Sequence, residues 1–217
     1  GLPVAIHLGM DVFNELLVGA SEMDEHFFNS NLENCLPVLL ALISFWNTNI
    51  LGAETSAMVP YDDRLRFLPE HLQQLEMESN GKRVDRNGEK LAFDSAPVTW
   101  GGLGTNAQHA FFQLLHQGGR FIPVDFFVAL SHPSQITKHH DMLVASCLAQ
   151  SESLMRGSNP NSADNSKSHL ICPGNQPNSI ISFDALTPST FGALVSLYEH
   201  KTFVLSVLLN INPFDQW

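Results

Sequence analysis

The stretch APVTWGGLGTNAQHAFFQLLHQGG, residues 96–119, decides the fold class. Ala96 to Trp100 is short, apolar and rich in side chains that suit a pleated, buried strand. The glycines that follow make a turn, Thr105 or Asn106 offers a helix cap, a helical run comes next, and Gly118-Gly119 stops it. A strand running through a tight turn into a helix is half of a parallel crossover unit, and the same order recurs on both sides. Upstream, Thr55 to Pro60 is a short apolar run closed by proline, after which Asp62 and Asp63 open an amphipathic helix that leads to Glu78. Downstream, Phe121 to Leu130 is a third strand, with Pro123 pointing to an edge or a bulge. A helix from Ile136 to Arg156, a strand from Ser179 to Leu186 and a final helix from the Thr187-Pro188 cap to about Leu209 complete the series. Strands alternating with helices predict the α/β class, with a mainly parallel sheet covered on both faces as a three-layer α/β/α sandwich.

The remaining segments fit around that frame as one domain over residues 1–217. Between Asp11 and Phe28, Phe13, Leu16, Leu17, Ala20 and Met23 recur at helical spacing. Pro37 starts a strongly apolar helix, expected to be capped by Asn34, to end near Gly52 and to be buried on most sides. Asn87-Gly88 predicts a small surface hairpin within residues 82–93, and the Ser-, Asn- and Pro-rich residues 157–178 read as a surface loop.

Composition removes several classes of function. With 22 acidic against 11 basic residues, a net charge of −11 and no basic cluster, the chain does not present a nucleic-acid surface. An anionic ligand would have to be met by helix N-terminal amides or by residues outside this chain. The longest apolar runs break well short of the roughly 20 residues a membrane span needs, so no membrane segment is expected. The first residues lack the features of a signal peptide and the chain does not begin with Met, which reads as an internal piece of a longer protein. Cys35, Cys147 and Cys172 have no pairing or zinc-type spacing, which points to a reducing compartment and hence the cytoplasm.

In parallel sheets ligands bind beyond the carboxyl ends of the strands, so residues near 101–109 stand where chemistry is expected. Glu78 lies between the helix-like QQLEME and the Asn80-Gly81 turn, a place from which a carboxylate can be held rigidly and act as a base. The same position also suits an ordinary exposed residue at a helix end. His109 falls in the first turn of the helix expected after Thr105-Asn106, where the positive end of the helix dipole favours the neutral ring; packing against Phe112 is the alternative. His109 and His116 have no carboxylate spaced with them as in a zinc helix, and His132, His139 and His140 read as exposed, so no metal site is expected. GGLGTN lacks both phosphate-loop patterns, and no nucleophile elbow or reactive-cysteine signature is present.

MESNGK (77–82), GTNAQHAFFQLLHQG (104–118), GNQPNSI (174–180), LYEHK (197–201) and FDQW (214–217) resemble the carboxyl-terminal half of the glucose-6-phosphate isomerase family. MDEHF, LPVLLAL and PYD fit the same family in the same order, so the resemblance covers nearly the whole chain. It implies a flavodoxin-like sugar-isomerase domain of an aldose-ketose isomerase. Such an enzyme interconverts glucose 6-phosphate and fructose 6-phosphate through an enediol, as a homodimer with a shared active site and without metal or organic cofactor. It further implies that Glu78 is the base, that His109 assists ring opening at the partner's site, and that Gln74 and Gln216 line the sugar. Where the family usually shows GEPGTNGQH this chain has GGLGTNAQH, departing at Gly102, Leu103 and Ala107. The family's phosphate-binding Ser/Thr cluster, the GGR motif it carries before the first helix and the lysine beyond FDQW would lie outside these residues; Gly118-Gly119-Arg120 stands elsewhere in the chain. A fragment of this kind is expected to be inactive alone. A non-catalytic sugar-phosphate-binding or regulatory domain is the other class of function that fits, though such a domain has no need of both Glu78 and His109.

Overall fold

The computed structural model describes residues 1–133, 137–158 and 165–214. In chain order the helices α1 (Leu2–Leu8), α2 (Met10–Asn29) and α3 (Leu36–Phe45) precede the strand β1 (Thr55–Pro60) and the helix α4 (Leu68–Asn80). Then come β2 (Val98–Gly101), α5 (Gly104–Ala107), α6 (Phe112–Gln117), β3 (Val124–Ser131), α7 (Thr137–Arg156), β4 (Asn178–Ala185) and α8 (Pro188–Leu208). This is the predicted α/β class: a four-stranded sheet with helices between its strands.

The chain forms two compact units, each assembled from separated segments. One comprises Gly1–Ile50, Gln74–Ala96 and Ala185–Trp217, the other Leu51–Gln73 and Pro97–Asp184. The second holds the sheet, whose strand order is β2-β1-β3-β4. β1 pairs in parallel with β2, Thr55 opposite Val98, and with β3, Ala57 opposite Val124. Its central strands are apolar on both faces: Ala57, Met58 and Val59 in β1 and Phe126 to Ala129 in β3 have essentially no exposure. That is the pattern of strands covered on two sides. Tyr61, Phe112, Leu115 and Leu154 close the same core. Because β2 lies on one side of β1 and β3 on the other, the winding reverses between β1 and β3. In sheets wound this way, the place where ligands generally bind is beyond the carboxyl ends of those two strands.

In the first unit α2 packs along α8, and two glycines set the distance. A Cβ at Gly19 would lie 1.8 Å from the Ser189 carbonyl oxygen, and one at Gly192 would lie 1.9 Å from that of Leu16. Each helix thus supplies a glycine where the other's backbone comes closest. α8 begins where Thr187 was expected to cap it, its hydroxyl accepting from the Thr190 N–H at 3.1 Å.

Four local expectations are corrected. Asn34 does not cap α3: it sits in a short 3-10 turn, and Cys35 holds the cap position without a side-chain bond. α3 passes at Trp46 into a wider π-type turn ending at Ile50, and only Pro37 and Ala41 are buried along it. Leu36, Leu42 and Ile43 are roughly half exposed, because an all-round apolar sequence does not itself supply partners for every side. Around Asn87-Gly88 there is no stranded hairpin. A single antiparallel bridge joins Val84 and Lys90, the Asp85 carboxylate accepts from the Asn87 and Glu89 N–H groups, and Gly88 takes φ 82°. The helix expected from Thr105 to Gly118 is interrupted between α5 and α6. Of the loop at 157–178, residues 159–164 lie outside the described ones, and the rest carries a bridge between Ser158 and Cys172 and a 3-10 turn at Asn165–Leu170.

Candidate active site

α4 is two-faced, and its sequence says why. Leu68, Leu72, Glu76 and Asn80 recur every fourth residue and form the buried stripe, while Gln74 and Glu78 share the exposed face. On that face the Gln74 side-chain amide donates to Glu78 Oε2 at 2.9 Å. A neutral donor orients the carboxylate without neutralising it, and the exposed side chain keeps the proton-accepting capacity a general base needs.

The helix end beneath Glu78 is tied down by polar bonds. Lys82 Nζ donates to the Ser79 carbonyl at 2.7 Å and to the Asn212 carbonyl at 3.0 Å, placing a cation where the last carbonyls of α4 are exposed. Asn80 Nδ2 donates to the Thr202 carbonyl at 3.0 Å. Lys201 Nζ meets Glu76 Oε2 at 2.8 Å, with both side chains under 5% exposed.

In the sheet-bearing unit, the loop after β2 brings α5 against Tyr61 at the carboxyl end of β1. Gly104 is required there, since a Cβ would lie 2.3 Å from the Tyr61 ring. Gln108 Nε2 donates to the Tyr61 hydroxyl at 3.1 Å and to Ser146 Oγ at 2.8 Å. Burial pushes the Tyr61 phenol up to about 12, only partly offset by the Gln108 bond, so it stays neutral and available as a hydrogen-bonding group. Next in the chain, Asp62 caps the following turn by accepting from the Arg64 N–H and pairs with the Arg64 guanidinium at 2.6 Å. Burial alone would raise its pKa, but the Arg64 bonds and charge outweigh that and hold the carboxyl below its usual value.

His109 does not lie in the first turn of a continuous helix. α5 ends at Ala107, the His109 and Ala110 N–H groups bond three residues back to Asn106 and Ala107, and Phe111 leaves the helical region at φ −136° and ψ 0°. The dipole argument for a neutral ring therefore does not apply. His109 is an exposed turn residue, and it is His116 whose ring stands near Phe112, at 5.9 Å, while its Nε2 bonds Gln150 at 2.7 Å. His132 and His140 approach to 5.6 Å between ring centres. Among the described residues no group of three or more His, Cys, Asp or Glu could hold a metal ion.

Of the four residues singled out from the sequence, Gln74 and Glu78 are brought together. Glu78 belongs to the first unit and His109 to the second. Gln216 lies outside the described residues. Sequence reasoning missed Gln108, whose role rests on a tyrosine 47 positions away. It also missed Glu76, Asn80 and Lys201; the signal was there, since Glu76 and Asn80 continue the apolar stripe begun by Leu68 and Leu72. Polar residues on a buried stripe call for partners.

Comparison with known proteins concerns the chain as a whole. The family model of phosphoglucose isomerase matches residues 1–217. A glucose-6-phosphate isomerase 2 from Chromobacterium violaceum is 50% identical, the match covering 100% of this chain and 42% of that protein. A glucose-6-phosphate isomerase from Chlorobium luteolum is 47% identical, with the same shares covered. The crystal structure of a glucose-6-phosphate isomerase from Chlamydia trachomatis superposes with a TM-score of 0.90 at 37% identity, over 100% of this chain and 42% of that one. The chain thus spans about two fifths of the length of the relatives it matches.

Proposed function

From a chain that belongs to the phosphoglucose isomerase family, we propose an aldose-ketose isomerase that interconverts glucose 6-phosphate and fructose 6-phosphate, of which these residues are one sugar-isomerase domain within a longer polypeptide. Glu78 is the base. It takes the proton from C2 of the open-chain aldose once the neighbouring carbonyl is polarised, and returns it to C1 on the same face of the resulting enediol. His109 assists ring opening, Gln74 orients both Glu78 and the sugar, and Gln216 is a further sugar ligand. The phosphate grip comes from residues outside this chain, consistent with its net charge of −11. The working form is a homodimer in which His109 serves the partner's site. The reading includes a cytoplasmic setting, supported by three cysteines that are all free. No described helix is long and apolar enough to cross a membrane.

The observation that carries the reading is the carboxylate itself: Glu78 exposed on the last turn of α4, with Gln74 bonded to one oxygen and the opposite helix face anchored. The test is to incubate the full-length protein with fructose 6-phosphate in D2O and follow the products by NMR. Formation of glucose 6-phosphate carrying deuterium at C2 is expected. Binding of the sugar phosphate without turnover would overturn the reading in favour of a non-catalytic binding domain.

A further inference from the structure

The buried face of α4 poses a question of energetics. Glu76 and Lys201 are 2% and 3% exposed and form one contact, Nζ to Oε2, at 2.8 Å. The other carboxylate oxygen, Glu76 Oε1, is buried with no hydrogen-bond partner, as is Asn80 Oδ1 one turn later. The Lys201 ammonium also stands 5.5 Å from the centre of the Tyr198 ring. Burying two charges with acceptors left unmade is a poor way to gain stability, and well-packed apolar side chains of similar size generally do as well or better. What an ion pair supplies and apolar contact does not is direction.

Direction matters at this place. Glu76 and Asn80 occupy the face of α4 opposite Gln74 and Glu78, and both are tied to adjacent residues of α8, Lys201 and Thr202. Two polar ties one turn apart fix the rotation of the last two turns about the helix axis and their position along it. Leu68 and Leu72, the apolar members of the stripe, supply no such direction. A rotation of about 20° moves a group some 5–6 Å from the axis by roughly 2 Å. Misplacing a reacting group by about 1 Å can cost on the order of 100-fold in rate.

We propose that the buried Glu76–Lys201 pair, with Asn80 on Thr202, is a positioning device that sets the orientation of α4 so that the Gln74–Glu78 couple meets the reacting carbons of the sugar. Glu76 and Lys201 do not touch substrate; they act through the helix. The proposal rests on Glu78 being the base, and the experiment separates the two ideas.

Full-length protein carrying Glu76→Met together with Lys201→Met removes the ion pair but leaves apolar side chains of similar length, and Glu76→Asp keeps the charge while shortening the reach by one methylene. For both, kcat, KM and the isotope effect with substrate deuterated at C2 are measured beside Glu78→Gln. The expected result is a kcat lowered tenfold or more, a KM within about twofold because the phosphate grip lies elsewhere, and a larger isotope effect because proton transfer has become slower. Loss of folded molecules alone would lower kcat without changing the isotope effect. A folded double-methionine variant with unchanged kcat and isotope effect overturns the proposal; should that variant not fold, Glu76→Asp decides by the same criterion. Unimpaired turnover by Glu78→Gln removes the base, and the positioning proposal with it. An inactive Glu78→Gln beside a fully active double variant removes the positioning proposal alone.

Discussion

In the proposed enzyme, Glu78 and its neighbours divide the last two turns of α4 between chemistry and anchoring. The Gln74 amide holds one carboxylate oxygen at 2.9 Å, so Gln74→Ala is expected to leave the fold intact and lower kcat about tenfold, the loss of one orienting hydrogen bond. Steady-state kinetics on the full-length variant check this. Tyr61 gives a pH prediction. A phenol whose pKa rises from 10.0 unfolded to about 12 folded binds its proton more tightly in the folded state. Cys147, raised by burial from 9.0 to about 12, behaves likewise. Stability is therefore full below the unfolded pKa values and declines as pH climbs from about 9 towards 12, with Tyr61→Phe removing only the tyrosine's share of the decline above 10 and leaving that of Cys147. Denaturant unfolding at pH 8 and pH 11 reads the difference. At this scale the sequence disclosed residue types but not partners. Glu78 stood out as a carboxylate between a helix and a turn, whereas Glu76, though its place on the Leu68–Leu72 stripe signalled burial, could not be given its partner Lys201, 125 positions on.

Most elements were legible because their signals are local. β1 begins and ends where its apolar run does, and α8 starts at the Thr187-Pro188 cap. Thr187→Ala is expected to cost about 1 kcal/mol through loss of the bond to the Thr190 N–H. The crossing of α2 and α8 should be far less tolerant. With backbone oxygen already occupying the space of a Cβ, Gly192→Val forces the helices apart and is expected to cost about 3 kcal/mol, seen as a lower melting temperature. The failures arose where local pattern met non-local packing. The run from Thr105 to Gly118 has no helix breaker in its interior, yet it breaks into α5 and α6 as Gln108 reaches across to Tyr61 and Ser146. α3 reads as a buried helix because it is apolar, but periodicity says nothing of whether a neighbour exists to cover it.

For the whole molecule, the α/β class follows from the alternation of strands and helices, whereas the sheet order β2-β1-β3-β4 is set by non-local pairing and came from the structure. The division into two units was not legible, because each is built from segments far apart in sequence. Function is distributed in the same way. The chain spans about two fifths of its relatives and carries a net charge of −11, so the isolated 217 residues are expected to show little isomerase activity even when folded, which a coupled assay on the purified fragment would reveal. The proposed isomerase depends above all on Glu78 as its base. Its most direct test is the rate of glucose 6-phosphate and fructose 6-phosphate interconversion by the full-length protein with Glu78→Gln, compared at equal folded concentration with the unaltered protein. A loss of roughly 10²–10⁴-fold or more is predicted for removal of an essential base; a near-normal rate would contradict the account.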